Sequence, residues 1–194
     1  MDKLIVFTEP DYFNAEVEQV TELFRRGLSI LHLRKPSSTK EGLASFLRLI
    51  PEDFLPRVTL HDHFELVDCF AVGGVHLNSR NQSYSGRHNV RISKSCHSFA
   101  ELKDIENFDY VTLSPIFDSI SKQGYRAAFH HNDLLSHKDL LSSKVIALGG
   151  VNYDNIQQLH TYGFGGAAML GNVWNDFNAD RFSQCLESLK SYNI

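Results

Sequence analysis

Short apolar runs recur along the whole chain and alternate with amphipathic segments. Eight runs have the length of a β-strand, and several are dense in Val, Ile and Leu, as in KLIVFTE, YVTLSPI and KVIALGG. Apolar runs without polar alternation are typical of strands covered on both faces, as in a parallel sheet. Between many of them lie segments of helical periodicity, such as AEVEQVTELFRRG. The pattern therefore predicts an α/β protein built from strand–helix repeats.

The number of repeats decides between two α/β architectures. Alternation of this kind fits either an open doubly wound sheet or a closed (β/α)8 barrel. Eight strands favour the barrel, although 194 residues is slightly below its usual range of roughly 200 or more. Residues 78–90 are polar and aperiodic, so we expect the helix after the fourth strand to be short or missing. No linker divides the chain, and residues 1–194 are interpreted as one compact (β/α)8 TIM-barrel domain.

Composition and charge narrow the class of ligand. Hydrophobic residues make up 42% and charged residues 22% of the chain, which is ordinary for a soluble globular protein. A net charge of −4 argues against a nucleic-acid surface but allows a local basic pocket for a small anion. The three cysteines have no CxxC spacing and are expected to be reduced thiols. The first apolar run, residues 4–7, is too short for a signal peptide or a membrane span. We therefore expect a cytoplasmic protein without a membrane partner.

Polar residues and glycines follow the predicted strand ends, where (β/α)8 barrels carry their active sites. In chain order these are His32, Arg34, Lys35, His61, Asp62, Asn81, Ser95, His97, Ser119, Ser121, Lys122, Gly149, Gly150 and Gly171. Arg34, Lys35 and Lys122 are expected to converge on one rim, and such cations suit a phosphate or pyrophosphate. The glycine-rich ends of the last two strands fit a site where backbone N–H groups hold a phosphate.

The motif HDH at residues 61–63 raises the question of a metal. His61 and Asp62 point to opposite sides of a strand, and no second cluster has zinc-ligand spacing. Asp62 beside a pyrophosphate suits Mg²⁺ better, but the same residue could cap a helix that begins near Phe64. His76, flanked by core residues, is predicted to be a hydrogen-bonded core histidine. His97 could contact a ligand or make a structural hydrogen bond.

Five segments, in this order and spacing, resemble thiamine phosphate synthase and its thiazole tautomerase relatives. They are LHLRKP, LHDHFELVDCFAVGGVHL, SKSCHSFAEL, DYVTLSPIFDSISK and VIALGGVNYDNIQQLHTYGFGGAAML. The resemblance covers nearly the whole chain and implies a (β/α)8 barrel. It also implies a Mg²⁺-assisted reaction that joins an aminopyrimidine-methyl pyrophosphate to a thiazole phosphate and releases pyrophosphate. A homodimer is implied by the resemblance alone.

The resemblance assigns roles by position. It makes Arg34 the pyrophosphate-binding arginine, Asp62 a magnesium ligand, and Ser95 the serine after the fifth strand. Ser119, Ser121 and Lys122 match a Thr-x-Thr-Lys motif, and Gly150 and Gly171 fall where the thiazole phosphate is held. Arg34, Lys122 and His32 are the expected catalytic residues. Lys35, His61, Ser95, His97, Ser119, Ser121, Gly149, Gly150 and Gly171 are the expected substrate contacts.

Several departures from the family pattern keep three functions open. Lys35 is displaced by one residue from the family's lysine, and Asn81 stands at the second magnesium aspartate, so the metal should bind more weakly. His32 favours the tautomerase branch, with His32 or His97 as proton carrier, whereas Pro115 replaces that branch's catalytic histidine. The hypotheses are thus a synthase, a tautomerase, and a non-catalytic binder of thiamine phosphate or its precursors.

Overall fold

Eight parallel strands close into a barrel, as the sequence predicts. The structure, a computed structural model, describes residues 3–118 and 126–191. Each strand pairs with the next one along the chain, and the last pairs with the first. The strands are β1 Lys3–Phe7, β2 Ile30–Leu33, β3 Val58–Leu60, β4 Gly74–Leu77, β5 Arg91–Cys96, β6 Tyr110–Leu113, β7 Val145–Ala147 and β8 Gly166–Met169.

Helices cover the outside of the barrel unevenly. The α-helices are α1 Glu16–Arg25, α2 Lys40–Leu49, α3 His131–Ser136, α4 Leu159–Tyr162, α5 Gly171–Trp174 and α6 Ala179–Ser191. Short 3₁₀ helices span Glu52–Arg57, Phe64–Asp68, Phe99–Asp104, Lys138–Leu140 and Ile156–Gln158. Residues 78–90 run from β4 to β5 without a helix, which confirms the prediction of a missing helix there.

Local sequence signals set the ends of α1 and α2. Thr39 caps α2, because its Oγ1 accepts a hydrogen bond from the backbone N–H of Gly42 at 3.1 Å. Gly27 follows α1 with a φ of +101°, a left-handed conformation that glycine adopts without steric cost. The buried face of α1 carries Val20, Leu23 and Phe24, so its apolar stripe faces the barrel.

Strand residues alternate between two cores. The larger core lies between the strands and the helices and includes Leu31, Leu33, Leu60 and Val75. The inner core fills the barrel and contains Ile5, Phe7, Ile30, Tyr110, Ile146 and Ala168. Alternation with a period of two places polar residues inside the barrel as well, namely His32, Thr59, His76, Ser93 and Thr112, all buried. A barrel interior with this many polar groups requires internal hydrogen bonds.

Within the described part of the chain, none of the helices has both the length and the apolar character needed to cross a bilayer.

Candidate functional site

Three histidines meet inside the barrel just below its mouth, the end where the strands reach their carboxyl termini. His32 lies on β2, His61 directly after β3 and His76 on β4, so they come from three adjacent strands. Their ring centroids lie 4.4 to 5.0 Å apart. Nδ1 of His32 lies 2.9 Å from Nε2 of His61, and Nε2 of His32 lies 2.6 Å from the Tyr110 hydroxyl. We call these three residues the histidine cluster.

Burial keeps the histidine cluster neutral. Desolvation, followed by the nearby charges, lowers the pKa of His32 and of His61 well below the usual value. Desolvation, together with the positive charge of Arg34, lowers the pKa of His76 to about 3. Both ring nitrogens of His76 are hydrogen-bonded, Nδ1 to Ser93 Oγ and Nε2 to Ser95 Oγ, each at 2.8 Å. The prediction of a hydrogen-bonded core histidine at position 76 is confirmed.

The histidine cluster also has the composition of a transition-metal site. One ring nitrogen from each histidine lies within 4.8 Å of the others. However, His32 and His61 face each other at 2.9 Å, which is shorter than the roughly 3.3 Å between two nitrogens on one tetrahedral zinc ion. A metal would also have to displace a serine hydroxyl from His76. The contacts therefore describe a hydrogen-bonded network.

His32 and His97, the two predicted proton carriers, lie in different environments. His32 has no exposed surface and is hydrogen-bonded through both ring nitrogens, so its predicted direct contact with a substrate is not supported. His97 is exposed after β5, and its Nδ1 lies 3.1 Å from the carbonyl oxygen of Ser114. Ser95 is tied to His76 from the neighbouring strand end.

A charged group lies above the histidine cluster, where Asp62 meets Arg80. Arg80 Nε donates to Asp62 Oδ1 at 3.1 Å, and Arg80 Nη2 donates to Oδ2 at 3.0 Å. Such a bidentate pair is the strongest geometry for a guanidinium and a carboxylate. Asn81 Nδ2 adds a bond to Oδ1 at 2.9 Å. We call Asp62, Arg80 and Asn81 the rim triad.

Asn78 and Asn81 fix the loop that carries the rim triad. The side-chain amides of both donate to the carbonyl oxygen of His61, at 2.9 and 3.0 Å. The Asn81 amide group lies between two acceptors, His61 O and Asp62 Oδ1. Its nitrogen, and not its oxygen, must therefore face the carboxylate. Asn78 Oδ1 accepts from the backbone N–H groups of Arg80 and Asn81.

The rim triad does not fit a magnesium site as arranged. The structure brings the predicted ligands Asp62 and Asn81 together, but as a hydrogen-bonded pair and not as two oxygen ligands. Both carboxylate oxygens of Asp62 accept from Arg80, so Mg²⁺ would have to compete with a bidentate guanidinium for this carboxylate. The alternative that Asp62 caps a helix is wrong, because the 3₁₀ helix at Phe64 follows His63 and has no side-chain cap.

The Lys35 side chain forms a buried ion pair with Glu16 and is not accessible to a ligand. Its Nζ lies 2.7 and 2.8 Å from the two carboxylate oxygens of Glu16 and 2.8 Å from the carbonyl oxygen of Asp11. The side chains of Lys35 and Glu16 are 0% and 2% exposed. Burial raises the pKa of Glu16 and lowers that of Lys35, and their mutual attraction opposes both shifts. The expectation of a substrate-facing ammonium is corrected, because the residue after Arg34 turns outward toward α1.

Arg34 stays at the mouth. Its backbone is fixed by Thr8, whose Oγ1 accepts from Arg34 N at 3.0 Å and lies 3.2 Å from Arg34 O. The side chain is close enough to the histidine cluster for its charge to contribute to the lowered pKa values of His61 and His76. Its role as a pyrophosphate contact stays a prediction.

The glycines at the end of β7 allow a close approach between two loops. Gly149 and Gly150 have φ values of +91° and +66°, which favour glycine. A Cβ at Gly149 would meet Pro115, and one at Gly150 would meet the carbonyl groups of Phe117 and Asp118. Gly171 is buried at the start of α5, and Leu170 separates it from β8. Ser119, Ser121 and Lys122 lie outside the described residues.

Arg80, Asn78 and Glu16 had no role assigned from the sequence, although Asn78 and Arg80 lie in the segment expected to follow the fourth strand. Arg80 follows a strand end and is basic, which is the signal that singled out Arg34, but it lies within a polar aperiodic stretch. Its role became apparent only from the fold of residues 78–81 over His61. Glu16 lies on an amphipathic helix and resembles a solvated acidic residue in the sequence.

The fold and the mouth define a class: a (β/α)8 barrel whose strand ends present guanidinium groups above a neutral, polar interior. The model of the thiamine monophosphate synthase family matches residues 4–173. The chain belongs to this family, and the resemblance seen in its sequence is confirmed.

Individual relatives agree with this assignment. The chain is 23% identical over 188 residues to a thiamine-phosphate synthase of Staphylococcus haemolyticus, covering 90% of this chain and 87% of the relative. A crystal structure of thiamine phosphate pyrophosphorylase from Bacteroides thetaiotaomicron has a TM-score of 0.85 and 36% identity, with 99% of each chain covered. The enzyme of the same name from Pyrococcus furiosus has a TM-score of 0.79 at 19% identity, covering 98% of this chain and 96% of that one, and shows the fold.

Proposed function

We propose that the protein is a thiamine phosphate synthase that joins an aminopyrimidine-methyl pyrophosphate to a thiazole phosphate. The observation that carries the proposal is the family match over residues 4–173. In the reaction the bond between the pyrimidine methylene and the pyrophosphate oxygen breaks, and its electron pair leaves with pyrophosphate. The thiazole nitrogen supplies the pair for the new carbon–nitrogen bond. Thiamine phosphate and pyrophosphate are the products.

Neutralisation of the leaving group is the main catalytic requirement, because negative charge develops on pyrophosphate while the methylene carbon becomes cationic. Arg34 and Lys122 are the proposed pyrophosphate contacts, with Ser119 and Ser121 as hydroxyl donors. The neutral histidine cluster below the mouth adds no positive charge that would oppose the cationic carbon. The backbone around Gly149, Gly150 and Gly171 is proposed to hold the thiazole phosphate.

The proposal extends to the surroundings of the reaction. Asp62 and Asn81 are the residues that the family pattern assigns to Mg²⁺, but their contacts do not fit the ion, so the proposed reaction has no step that depends on Mg²⁺. We propose one cytoplasmic catalytic domain acting as a homodimer on small phosphorylated substrates.

A thiazole tautomerase is the second candidate, and the position of His97 favours it. His97 is exposed and lies within hydrogen-bond distance of Ser114, which suits a side chain that transfers a proton to or from a substrate. His32, the other proposed carrier, lies beneath the mouth without exposed surface. A tautomerase should lose activity in His97→Ala and keep it in His32→Gln.

Incubation with both substrates tests the synthase, with thiamine phosphate and pyrophosphate measured together. Equimolar formation of the two products is expected. Arg34→Ala should reduce the rate at least tenfold, since it removes a charge-assisted contact to the leaving group. Absence of thiamine phosphate at saturating substrates, with and without Mg²⁺, contradicts the synthase. Conversion of the thiazole tautomer under the same conditions then supports the tautomerase, and tight binding without turnover supports a non-catalytic binder.

A further inference from the structure

The rim triad places an internal cation where the family pattern expects a metal. The Arg80 guanidinium covers both oxygens of Asp62 through two bonds of 3.1 and 3.0 Å. Asn81 adds an N–H donor to the same carboxylate. An incoming Mg²⁺ would have to displace a tethered bidentate cation and would meet an amide N–H group that repels it. The charges of the Asp62 carboxylate and the Arg80 guanidinium also sum to zero, so the pair attracts a divalent cation only weakly.

Arg80 retains donors for an anion while it is paired. A guanidinium has five N–H groups, and the bonds to Asp62 use one on Nε and one on Nη2. Among the described residues, Nη1 has no hydrogen-bond partner. The Arg80 side chain is 42% exposed, whereas the Asp62 side chain is 16% exposed. The carboxylate thus orients the guanidinium and leaves part of the Arg80 side chain accessible to a ligand.

Arg34 and Arg80 follow the two strands that flank the strand of Asp62. Arg34 follows β2, Asp62 follows β3 and Arg80 follows β4, and these three strands are neighbours. Two guanidinium groups on one side of the mouth can bind a pyrophosphate in a bidentate manner, as Arg does with phosphate generally.

We propose that Arg80 supplies the positive charge that a divalent metal supplies elsewhere in the family, and that pyrophosphate binds at Arg34 and Arg80 without a metal. Asp62 is then a positioning residue that orients the Arg80 guanidinium. The identity of the anion rests on the proposed function, whereas the metal-free guanidinium site does not.

Binding of inorganic pyrophosphate tests the proposal directly. Calorimetric titrations compare wild-type protein in excess EDTA with the same protein in Mg²⁺. The Kd is expected to agree within about twofold between the two conditions. Arg80→Ala should weaken binding at least tenfold, as expected for loss of a charge-assisted hydrogen-bonded contact. Arg80→Lys keeps the charge but loses the planar fork and should fall between the two.

Two further variants distinguish loss of the Arg80 contact from a general change in the charge of the loop. Arg87→Ala removes a guanidinium of the same loop that donates to the carbonyl oxygen of Val72 and not to Asp62, and it should leave the Kd unchanged. Asp62→Asn keeps the shape of the side chain but loosens Arg80, and it should weaken binding less than Arg80→Ala does. Thermal unfolding of each variant verifies that the barrel is intact.

The outcomes distinguish this inference from the proposed function. Pyrophosphate binding that EDTA abolishes and Mg²⁺ restores, with Arg80→Ala equal to wild type, overturns the inference while leaving a synthase intact. Absence of pyrophosphate binding in every condition also overturns it. Arg80-dependent binding in EDTA supports it, even if no thiamine phosphate is formed and the proposed function fails.

Discussion

Two ion pairs at the carboxyl ends of the strands show how burial determines whether a charged side chain can bind a ligand. Lys35 follows β2 and is paired with Glu16, with side-chain exposures of 0% and 2%. Arg80 follows β4 and is paired with Asp62, with exposures of 42% and 16%. Both basic residues lie in polar segments at the same end of the barrel. The buried Lys35 ammonium is inaccessible to a ligand and can contribute only to the stability of the fold. The partly exposed Arg80 guanidinium can still bind a ligand.

Glu16→Gln should give the largest effect, because it leaves the Lys35 ammonium buried without a counter-charge. Removing one partner of a buried pair costs about 3 to 5 kcal/mol, and we expect a loss of that size in the free energy of unfolding by urea. The exposed pair of Arg26 and Asp180, with side chains 38% and 78% exposed, provides the control. Asp180→Asn should cost far less than Glu16→Gln, because an exposed ion pair is screened by solvent. Equal losses in the two variants would contradict the comparison.

The free energy of unfolding should fall in mild acid because the histidine cluster stays neutral. In the unfolded chain an imidazole binds a proton below about pH 6.5, whereas burial holds the folded pKa of His32 well below that value and that of His76 at about 3. The folded state therefore binds fewer protons as the pH falls from 6.5 toward 3. Stability present above pH 6.5 is lost at about 1.4 kcal/mol per pH unit for each such imidazole.

Urea unfolding at pH 7.5, 5.5 and 4.5 measures this slope. His76→Gln should reduce the slope by about 1.4 kcal/mol per pH unit. An unchanged slope in His76→Gln would show that this imidazole is protonated in the folded protein.

The double variant Arg80→Ala/Asn81→Asp should convert the rim triad into a metal site. Removing the guanidinium frees both oxygens of Asp62, and the new aspartate supplies a second carboxylate. We expect Mg²⁺ binding detectable by calorimetry in the double variant and none in wild-type protein. Arg80→Ala alone should bind the ion more weakly than the double variant. Equal Mg²⁺ binding by wild-type protein would show that Arg80 does not block the site.

Zinc should give the smallest effect. Because Nδ1 of His32 and Nε2 of His61 are 2.9 Å apart, the histidine cluster is already satisfied by hydrogen bonds. Equimolar Zn²⁺ should shift the thermal unfolding midpoint by less than about 1 °C, since an ion that does not bind the folded state does not stabilise it. An increase of several degrees that disappears in His32→Gln would identify the cluster as a metal site.

Particular residues show why the fold was predictable and the site only partly so. The eight apolar runs are set by burial on both faces, a signal that each segment carries alone. The histidine cluster also has a signal, since ILH, TLH and GVH each end in a histidine on the inward face. Each histidine taken alone does not indicate a cluster, because the convergence of the three depends on the register of β2, β3 and β4.

Lys35 and Arg80 depend on features that periodicity does not encode. Lys35 is one residue beyond Arg34, and this one step turns its side chain toward Glu16 and away from the mouth. Arg80 reaches Asp62 because Asn78 and Asn81 hold an aperiodic loop against the backbone of His61. Side-chain hydrogen bonds across loops are tertiary contacts, and a local pattern cannot indicate their partners.

The initial rate of thiamine phosphate formation by wild-type protein, measured with excess EDTA and then with saturating Mg²⁺, tests the central claim most directly. If the Arg80 guanidinium supplies the positive charge, we expect the rates in EDTA and in Mg²⁺ to agree within about twofold. Both rates should fall at least tenfold in Arg80→Ala. A rate that vanishes in EDTA, returns with Mg²⁺ and is unaffected by Arg80→Ala would contradict it.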